Sequence, residues 1–467
     1  MPKRDYYAPI VRNWIYPLAQ RLQGRDFPAA MRQGLKNQHL SQDQLRELQM
    51  RKASALVRHA FETVPYYRKS FARTGLSPED ILTREDFENL PLLTKDLLRE
   101  NFHDLFSAQP ISRLLNVRTS GSTGAPLQSR ISQRSSLSSN VCRIRALQWW
   151  GIELGDRMVY LSNAGYSFKP GLGKYLYESL YTPLRAALMN RRFFTAYTMT
   201  PENMRVHWET ILRFKPTYIF GFPSGYAVFA DYLREKGYDG AEASLKLVVT
   251  LGEVLHGWQA ELISETFGCP VGDEYGGVEV GLVAHSHPCG VMHTMDDRLI
   301  VEVIRERPED KYGQVVVTDL DNWSFPIIRY NMNDLAKLVR WGHGCSLGLG
   351  LGVLEGLLGR DQDVIRLKSG RIIYCHYFHN LLKHVDGVRQ YQVIQKKPGL
   401  FEFKIVAQGD SFGPEGERYL RETVWEHLEG SRVEINLVDQ IPRDPSGKLR
   451  FVLSELHPKP ERRSDSP

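Results

Sequence analysis

Long apolar runs are missing from this chain of 467 residues. No stretch reaches the roughly 18 consecutive apolar residues that span a bilayer, and the amino terminus lacks the apolar centre of a secretory leader. A protein without a transmembrane segment is expected. Cysteine is scarce: Cys142, Cys269, Cys289, Cys345 and Cys375 are dispersed and odd in number, which excludes a dense disulfide framework. Reduced thiols and a cytoplasmic location follow as expectations. Charge of one sign is also in short supply. Sixty basic residues against 54 acidic ones leave a net +6, part of it in the tail Lys459 to Arg463. That excess suits an anionic small ligand and is too weak to argue for nucleic acid. Internal repeats, low-complexity tracts and a Walker-type Gly-Lys-Ser/Thr ending are absent as well.

What is present is an ordinary globular composition, 42% hydrophobic and 24% charged, on a chain too long for one core. Ser41 reads as the N-cap of a helix over 41–63, which Pro65 stops. From about 114 to 340, strand-like runs (158–161, 218–220, 247–250, 315–317) alternate with helical ones (224–236, 257–267), the pattern of an α/β layered domain. Gly342 to Gly359 is crowded with glycine and reads as a tether. Beyond it, short strands at 364–367, 401–406 and 432–437 and helices at 375–384 and 416–428 suggest a small α+β domain. The expected division is 1–359 and 360–467.

Five segments carry chemistry. The loop Thr119-Ser120-Gly121-Ser122-Thr123-Gly124-Ala125-Pro126 combines hydroxyls and glycines that can bring donors close to phosphates. Gly252-Glu253-Val254 follows a strand, as does Asp273-Glu274-Tyr275-Gly276-Gly277-Val278-Glu279. Arg329-Tyr330-Asn331-Met332-Asn333-Asp334 comes next. Last is a pair, Gly359-Arg360-Asp361-Gln362-Asp363-Val364-Ile365 and Pro442-Arg443-Asp444-Pro445-Ser446-Gly447-Lys448.

In this order the segments resemble the adenylate-forming superfamily. Val64-Pro65-Tyr66-Tyr67-Arg68, Leu90-Pro91-Leu92-Leu93-Thr94-Lys95 and Gly221-Phe222-Pro223-Ser224 are similar to the branch of phenylacetate–CoA ligases and capsular-polysaccharide biosynthesis proteins. The resemblance spans about residues 40 to 455. It implies a large α/β domain, a mobile C-terminal cap, and an active site between them. It also implies attack of a carboxylate on the α-phosphate of ATP, giving an acyl-adenylate from which a thiol displaces AMP. Coenzyme A is the default acceptor. An amine or hydroxyl acceptor, adenylyl transfer to a non-carboxylate substrate, and a non-catalytic nucleotide-binding scaffold are the alternatives.

The same resemblance implies the roles of single residues. Ser120, Ser122, Thr123 and the amides of Gly121 to Gly124 would hold the phosphates, and Glu279 would hold Mg²⁺. Gly252, Glu253, Tyr275, Gly276 and Gly277 would line the adenine pocket. Asp334 would accept from the ribose hydroxyls, with Arg360 beside the ribose or phosphate. Lys448 would meet the charge that builds on the α-phosphate.

Three departures stand out: Val278 where threonine is usual, Gln362 in place of the hinge acid, and an unusual acid-pocket stretch at 163–174. The last argues against phenylacetate as the acid. Cys289, His293, His343 and Cys345, with His285 and His287 close by, could form a structural Cys₂His₂ zinc site. Tyr6 to Leu22 is aromatic and basic, suited to packing on the body, to a homodimer partner, or to a membrane surface.

Overall fold

The computed structural model describes residues 5–75, 77–81, 83–118, 127–162, 182–195, 199–360, 365–369, 372–373, 377–378, 381–382, 385–409, 411–442 and 450–456. The loop 119–126, the stretch 163–174, the hinge residues 361–363, most of the helix expected at 375–384 and Lys448 lie outside the described residues. Two compact units emerge. One takes the chain to Thr119 and Leu127–Leu357; the other begins at Leu358.

In the first unit Ser41 opens the helix Gln42–Thr63 through a reciprocal cap. Its hydroxyl accepts from the Gln44 amide at 3.3 Å, and its own amide donates to the Gln44 side chain at 2.9 Å. Leu45, Ala53, Leu56 and Ala60 recur on one face and are fully buried. Val64 is extended, and Pro65 then sits in the first turn of a new helix, Pro65–Thr74. Proline stops one helix here and starts the next, because a first-turn amide has no partner to lose.

The centre is a nine-stranded mixed sheet. Arg191–Thr195, Met158–Ser162, Tyr218–Gly221, Leu247–Leu251 and Val271–Gly277 run parallel. Gly281–Ser286, Met292–Thr294, Val353–Glu355 and Leu338–Arg340 continue it antiparallel. Leu247, Val248 and Val249 are all buried, as expected of a parallel strand covered on both faces. The helices Pro201–Phe214, Pro223–Glu235 and Gly257–Phe267 contribute to one apolar cluster, and Gln133–Trp149 to others. Leu299–Ile304, Gly313–Asp319 and Tyr330–Ala336 form an antiparallel meander.

The glycine-rich stretch is not a loose tether up to Leu357. Leu349 and Leu351 are buried, and Val353–Glu355 is an internal strand of the main sheet. A Cβ at Gly350 would lie 1.8 Å from the Leu40 carbonyl oxygen, so glycine there serves close packing.

The second unit is α+β. Val388–Lys397 and Leu400–Ala407 form a hairpin, flanked by Arg432–Leu437 and Val452–Ser454 in parallel pairing. The helix Pro414–His427 buries Leu420 and Val424 against Phe378, Phe401 and Phe403. The strand 388–397 escaped the sequence reading. Its buried residues include Gln392 and Gln395, so its polar composition hides an interior strand.

Candidate active site

The strand Tyr330–Ala336 carries a ladder of residues at every second position, and each meets a residue of the 275–279 segment. Tyr330 donates its hydroxyl to Glu279 Oε1 at 3.1 Å. Met332 lies against Gly277, where a Cβ would come within 2.9 Å of its methyl group. Asp334 Oδ2 accepts the Tyr275 hydroxyl at 2.9 Å. The backbone is left-handed at Asn333 and the ladder to Gly313–Asp319 shifts register there, so it is these three contacts that present Glu279, Gly277 and Tyr275 together along one edge. Three residues named from sequence, Tyr275, Glu279 and Asp334, are thereby brought onto one surface.

Two residues have left-handed backbone here: Arg329, just before the strand, at φ 48°, and Asn333, within it, at φ 59°. Such conformations cost on the order of 1–3 kcal/mol and persist only where neighbours enforce them. The enforcement is visible. The Arg329 guanidinium is paired with Glu302 at 2.8 and 3.3 Å, both side chains buried. It also donates to the carbonyls of Glu88 and Leu90. The Asn331 side chain accepts from the Asn333 amide at 2.8 Å.

The 90–95 segment braces the same strand from outside. Leu93 exchanges two backbone bonds of 2.9 Å with Arg329 and Asn331, and Lys95 donates to the Met332 carbonyl at 3.0 Å. Both residues belong to the Leu90–Lys95 motif, but nothing in the sequence gave them a bracing role.

Gly252 ends the strand Leu247–Leu251 with φ 76°, which glycine tolerates. Glu253 turns back and accepts the Ser224 amide at 3.1 Å, at the start of the helix Pro223–Glu235. In a parallel sheet, ligands sit beyond the carboxyl ends of the strands, where Gly252 and Gly276 lie. Gly276 itself admits no side chain, because a Cβ would meet the Gly281 carbonyl oxygen at 2.3 Å.

Glu279 is 5% exposed, and among the described residues no lysine or arginine pairs with it. A buried carboxylate of this kind is costly unless a cation meets it, and a divalent ion with oxygen preference fits the donor. Deeper in the sheet, Asp273 accepts from Thr250 at 2.7 Å, and burial pushes its pKa up to about 7. Glu274 is engaged by Arg143, with Nε to Oε2 at 2.7 Å.

A second cluster gathers sulfur and imidazole. Donor atoms of His287, Cys289, His293 and Cys345 all lie within 4.8 Å of one another. His287 Nδ1 is 2.8 Å from the Cys289 sulfur, and the Cys345 sulfur is 3.7 Å from His287 Nε2. His293 Nδ1 faces the Gly352 carbonyl at 3.2 Å. That bond fixes the proton on Nδ1 and leaves Nε2, buried and without a hydrogen-bond partner, as a lone-pair donor. Burial and the neighbouring His293 and His343 hold the pKa of His287 down to about 4, so its imidazole is neutral. His287 lies in this group by position, and His343, named from the sequence, stands beside it with Nε2 3.6 Å from the Cys289 sulfur. Two thiols and two neutral imidazoles fit tetrahedral zinc.

Ser120, Gly121, Ser122, Thr123, Gly124 and Lys448 lie outside the described residues. Arg360 is described only by its backbone, in the short strand Gly359–Arg360 of the second unit.

Comparison with known proteins adds independent findings. A family profile, the CapK C-terminal domain, matches residues 365–455. Phenylacetate-coenzyme A ligase of Aromatoleum evansii is 28% identical over 370 residues, covering 77% of this chain and 80% of the relative. The Thermus thermophilus enzyme of the same name is 25% identical over 452 residues, covering 89% of this chain and 97% of the relative. The solved structure of 2-hydroxyisobutyryl-CoA ligase in its postadenylation state, bound to R3-HIB-AMP, superposes with a TM-score of 0.69 at 20% identity. It covers 90% of this chain and 92% of that one. No helix among the described residues is long and apolar enough to cross a membrane.

Proposed function

We propose, from the premise that this chain belongs to the adenylate-forming superfamily in its phenylacetate–CoA ligase branch, that it is an AMP-forming acid–CoA ligase. A carboxylate oxygen attacks the α-phosphate of ATP, pyrophosphate leaves, and the acyl-adenylate forms. The coenzyme A thiol then attacks the acyl carbon, loses its proton and releases AMP. The observation that carries the reading is the ladder Tyr330–Glu279, Met332–Gly277 and Asp334–Tyr275 on a single edge.

In this reading Asp334 accepts from the ribose hydroxyls, and Tyr275 orients it while lining the adenine pocket with Gly252, Glu253 and Gly276. Ser120, Ser122, Thr123 and the amides of Gly121 to Gly124 hold the phosphates. Glu279 would hold Mg²⁺, which supplies charge neutralisation on the phosphate oxygens. Arg360 binds the ribose or phosphate, and Lys448 supplies a positive charge as the α-phosphate becomes more negative. The functional division is 1–359 and 360–467. Substrates of this kind suit a cytoplasmic setting.

The experiment is pyrophosphate release over a panel of aryl, fatty, amino and sugar acids, with and without coenzyme A. Acid-dependent release coupled to thioester formation is expected. Release that needs an amine or hydroxyl in place of coenzyme A would transfer the second step to that acceptor.

The sulfur and imidazole cluster is read as a structural zinc site of His287, Cys289, His293 and Cys345, with all four positions filled by protein. Metal analysis of protein purified without added zinc or chelator should give one zinc per chain. Cys345→Ser should lose the metal and lower the melting temperature; metal-free protein with an unchanged melting temperature would remove the site.

A further inference from the structure

The helix at the start of the described chain is continuous but mixed. Tyr7–Ile10 is α, Val11–Ile15 is a π turn, and Tyr16–Arg21 is α again. Large apolar residues recur at every fourth position: Tyr6, Ile10, Trp14, Leu18 and Leu22. Their exposures are 80, 48, 75, 58 and 81%. On a plain α-helix a spacing of four slides round the axis by about 40° per step. A π turn holds more residues per turn and takes back part of that slide, so the five side chains stay closer to one side.

The opposite side is fastened to the body. Ala8, Val11, Tyr16 and Gln20 are buried. Arg12 Nε donates to the Leu154 carbonyl at 3.0 Å, and Asp5 pairs with Arg157 at 3.1 Å. The outward stripe is thus held in place by packing on the far side. The Tyr7 hydroxyl donates to the Leu188 carbonyl at 3.0 Å, which sets the helix Thr182–Leu188 alongside. Its Leu184 and Leu188 are 60 and 45% exposed, extending the apolar face.

The surroundings of this face are basic. Arg21, exposed on the helix itself, and Arg185, exposed next to Leu184 on the neighbouring helix, have no carboxylate partner among the described residues. Arg25 and Arg191 lie on the body side of the helix, where they act electrostatically on the buried Tyr16. A second copy docked face to face would bring the same guanidinium groups together, and like charges repel. An anionic lipid surface meets them with opposite charge and accepts tryptophan and leucine at the boundary of headgroups and acyl chains.

We propose that this helix, with Leu184 and Leu188, is a docking face for an anionic lipid surface, on which the protein lies without spanning it. The assignment is independent of the ligase reading.

The test is co-sedimentation of the full chain with vesicles of phosphatidylcholine alone, or with about a third phosphatidylglycerol. Binding is expected to the anionic vesicles and to fall as salt rises. The pair Trp14→Glu and Leu18→Glu should lower partition about tenfold or more. The pair Arg21→Glu and Arg185→Glu should lower it comparably while leaving the stripe intact. All four positions are exposed, so thermal midpoints should stay at the wild-type value and show that the fold is retained. No binding to anionic vesicles at low salt would overturn the proposal, as would binding that both pairs leave unchanged. A dimer in light scattering that Trp14→Glu dissociates would also overturn it, making a second copy the occupant.

Discussion

Replacing Tyr275 by phenylalanine removes one oxygen from the candidate site and leaves the packing intact. The ring is 8% exposed and stays in its core position, while the 2.9 Å bond to Asp334 Oδ2 disappears. A hydrogen bond to a charged group contributes about 1.5–3 kcal/mol. Asp334 is half-buried and water can replace part of the loss, so the low end applies. About 1.4 kcal/mol is a factor of ten in binding. The KM for ATP should therefore rise about tenfold, with kcat changed much less, because the ribose is held alike in ground and transition states. ATP–pyrophosphate exchange at saturating acid reads both parameters. An unchanged KM for ATP in a variant with wild-type melting temperature would refute the role given to Tyr275 and Asp334.

Glu302→Gln should cost about 3–5 kcal/mol in urea unfolding, since it leaves the buried Arg329 guanidinium without its counter-charge. Combining it with Arg329→Met should recover part of the loss; a single variant as stable as wild type would contradict the bracing role. Asp273 gives a pH signature. Its folded pKa near 7 exceeds the unfolded value, so the folded state binds the extra proton. The stability it supports is present below about pH 4 and is lost as pH rises towards 7. Asp273→Asn should gain stability relative to wild type across that window, and a gap that stays constant from pH 4 to 7 would dismiss the assignment. Lys448→Ala should abolish acid-dependent pyrophosphate exchange while sparing reaction of a pre-made acyl-adenylate with its acceptor. Wild-type exchange in that variant would remove Lys448 from the first step.

Much of the first unit was legible in the chain because its signals are local. Ser41 and Gln44 announce a reciprocal cap, and Leu247–Leu251 announces a buried strand. Others needed the fold. The glycines of 342–359 read as a tether, since nothing in sequence reveals that Gly350 fits against Leu40 or that Val353–Glu355 enters a sheet. Gln392 and Gln395 disguise an interior strand, because their burial depends on partners distant in sequence. At the site, the family resemblance pointed to Tyr275, Glu279 and Asp334, whereas the pairings that hold them were invisible. Tyr330 reaches Glu279 across 51 positions and Arg329 reaches Glu302 across 27. His287 was named only as a neighbour of the cysteine and histidine cluster, and its closeness to Cys289 and Cys345 depends on the turn at 287–291, which spacing does not reveal.

The central claim is that a carboxylate oxygen becomes bonded to the α-phosphorus of ATP. Running the reaction with an acid labelled with ¹⁸O in its carboxyl group, coenzyme A and ATP, followed by mass spectrometry of the nucleotide, tests that bond directly. One labelled oxygen should appear in AMP for each thioester formed. Unlabelled AMP, or label found in inorganic phosphate beside ADP, would contradict the account.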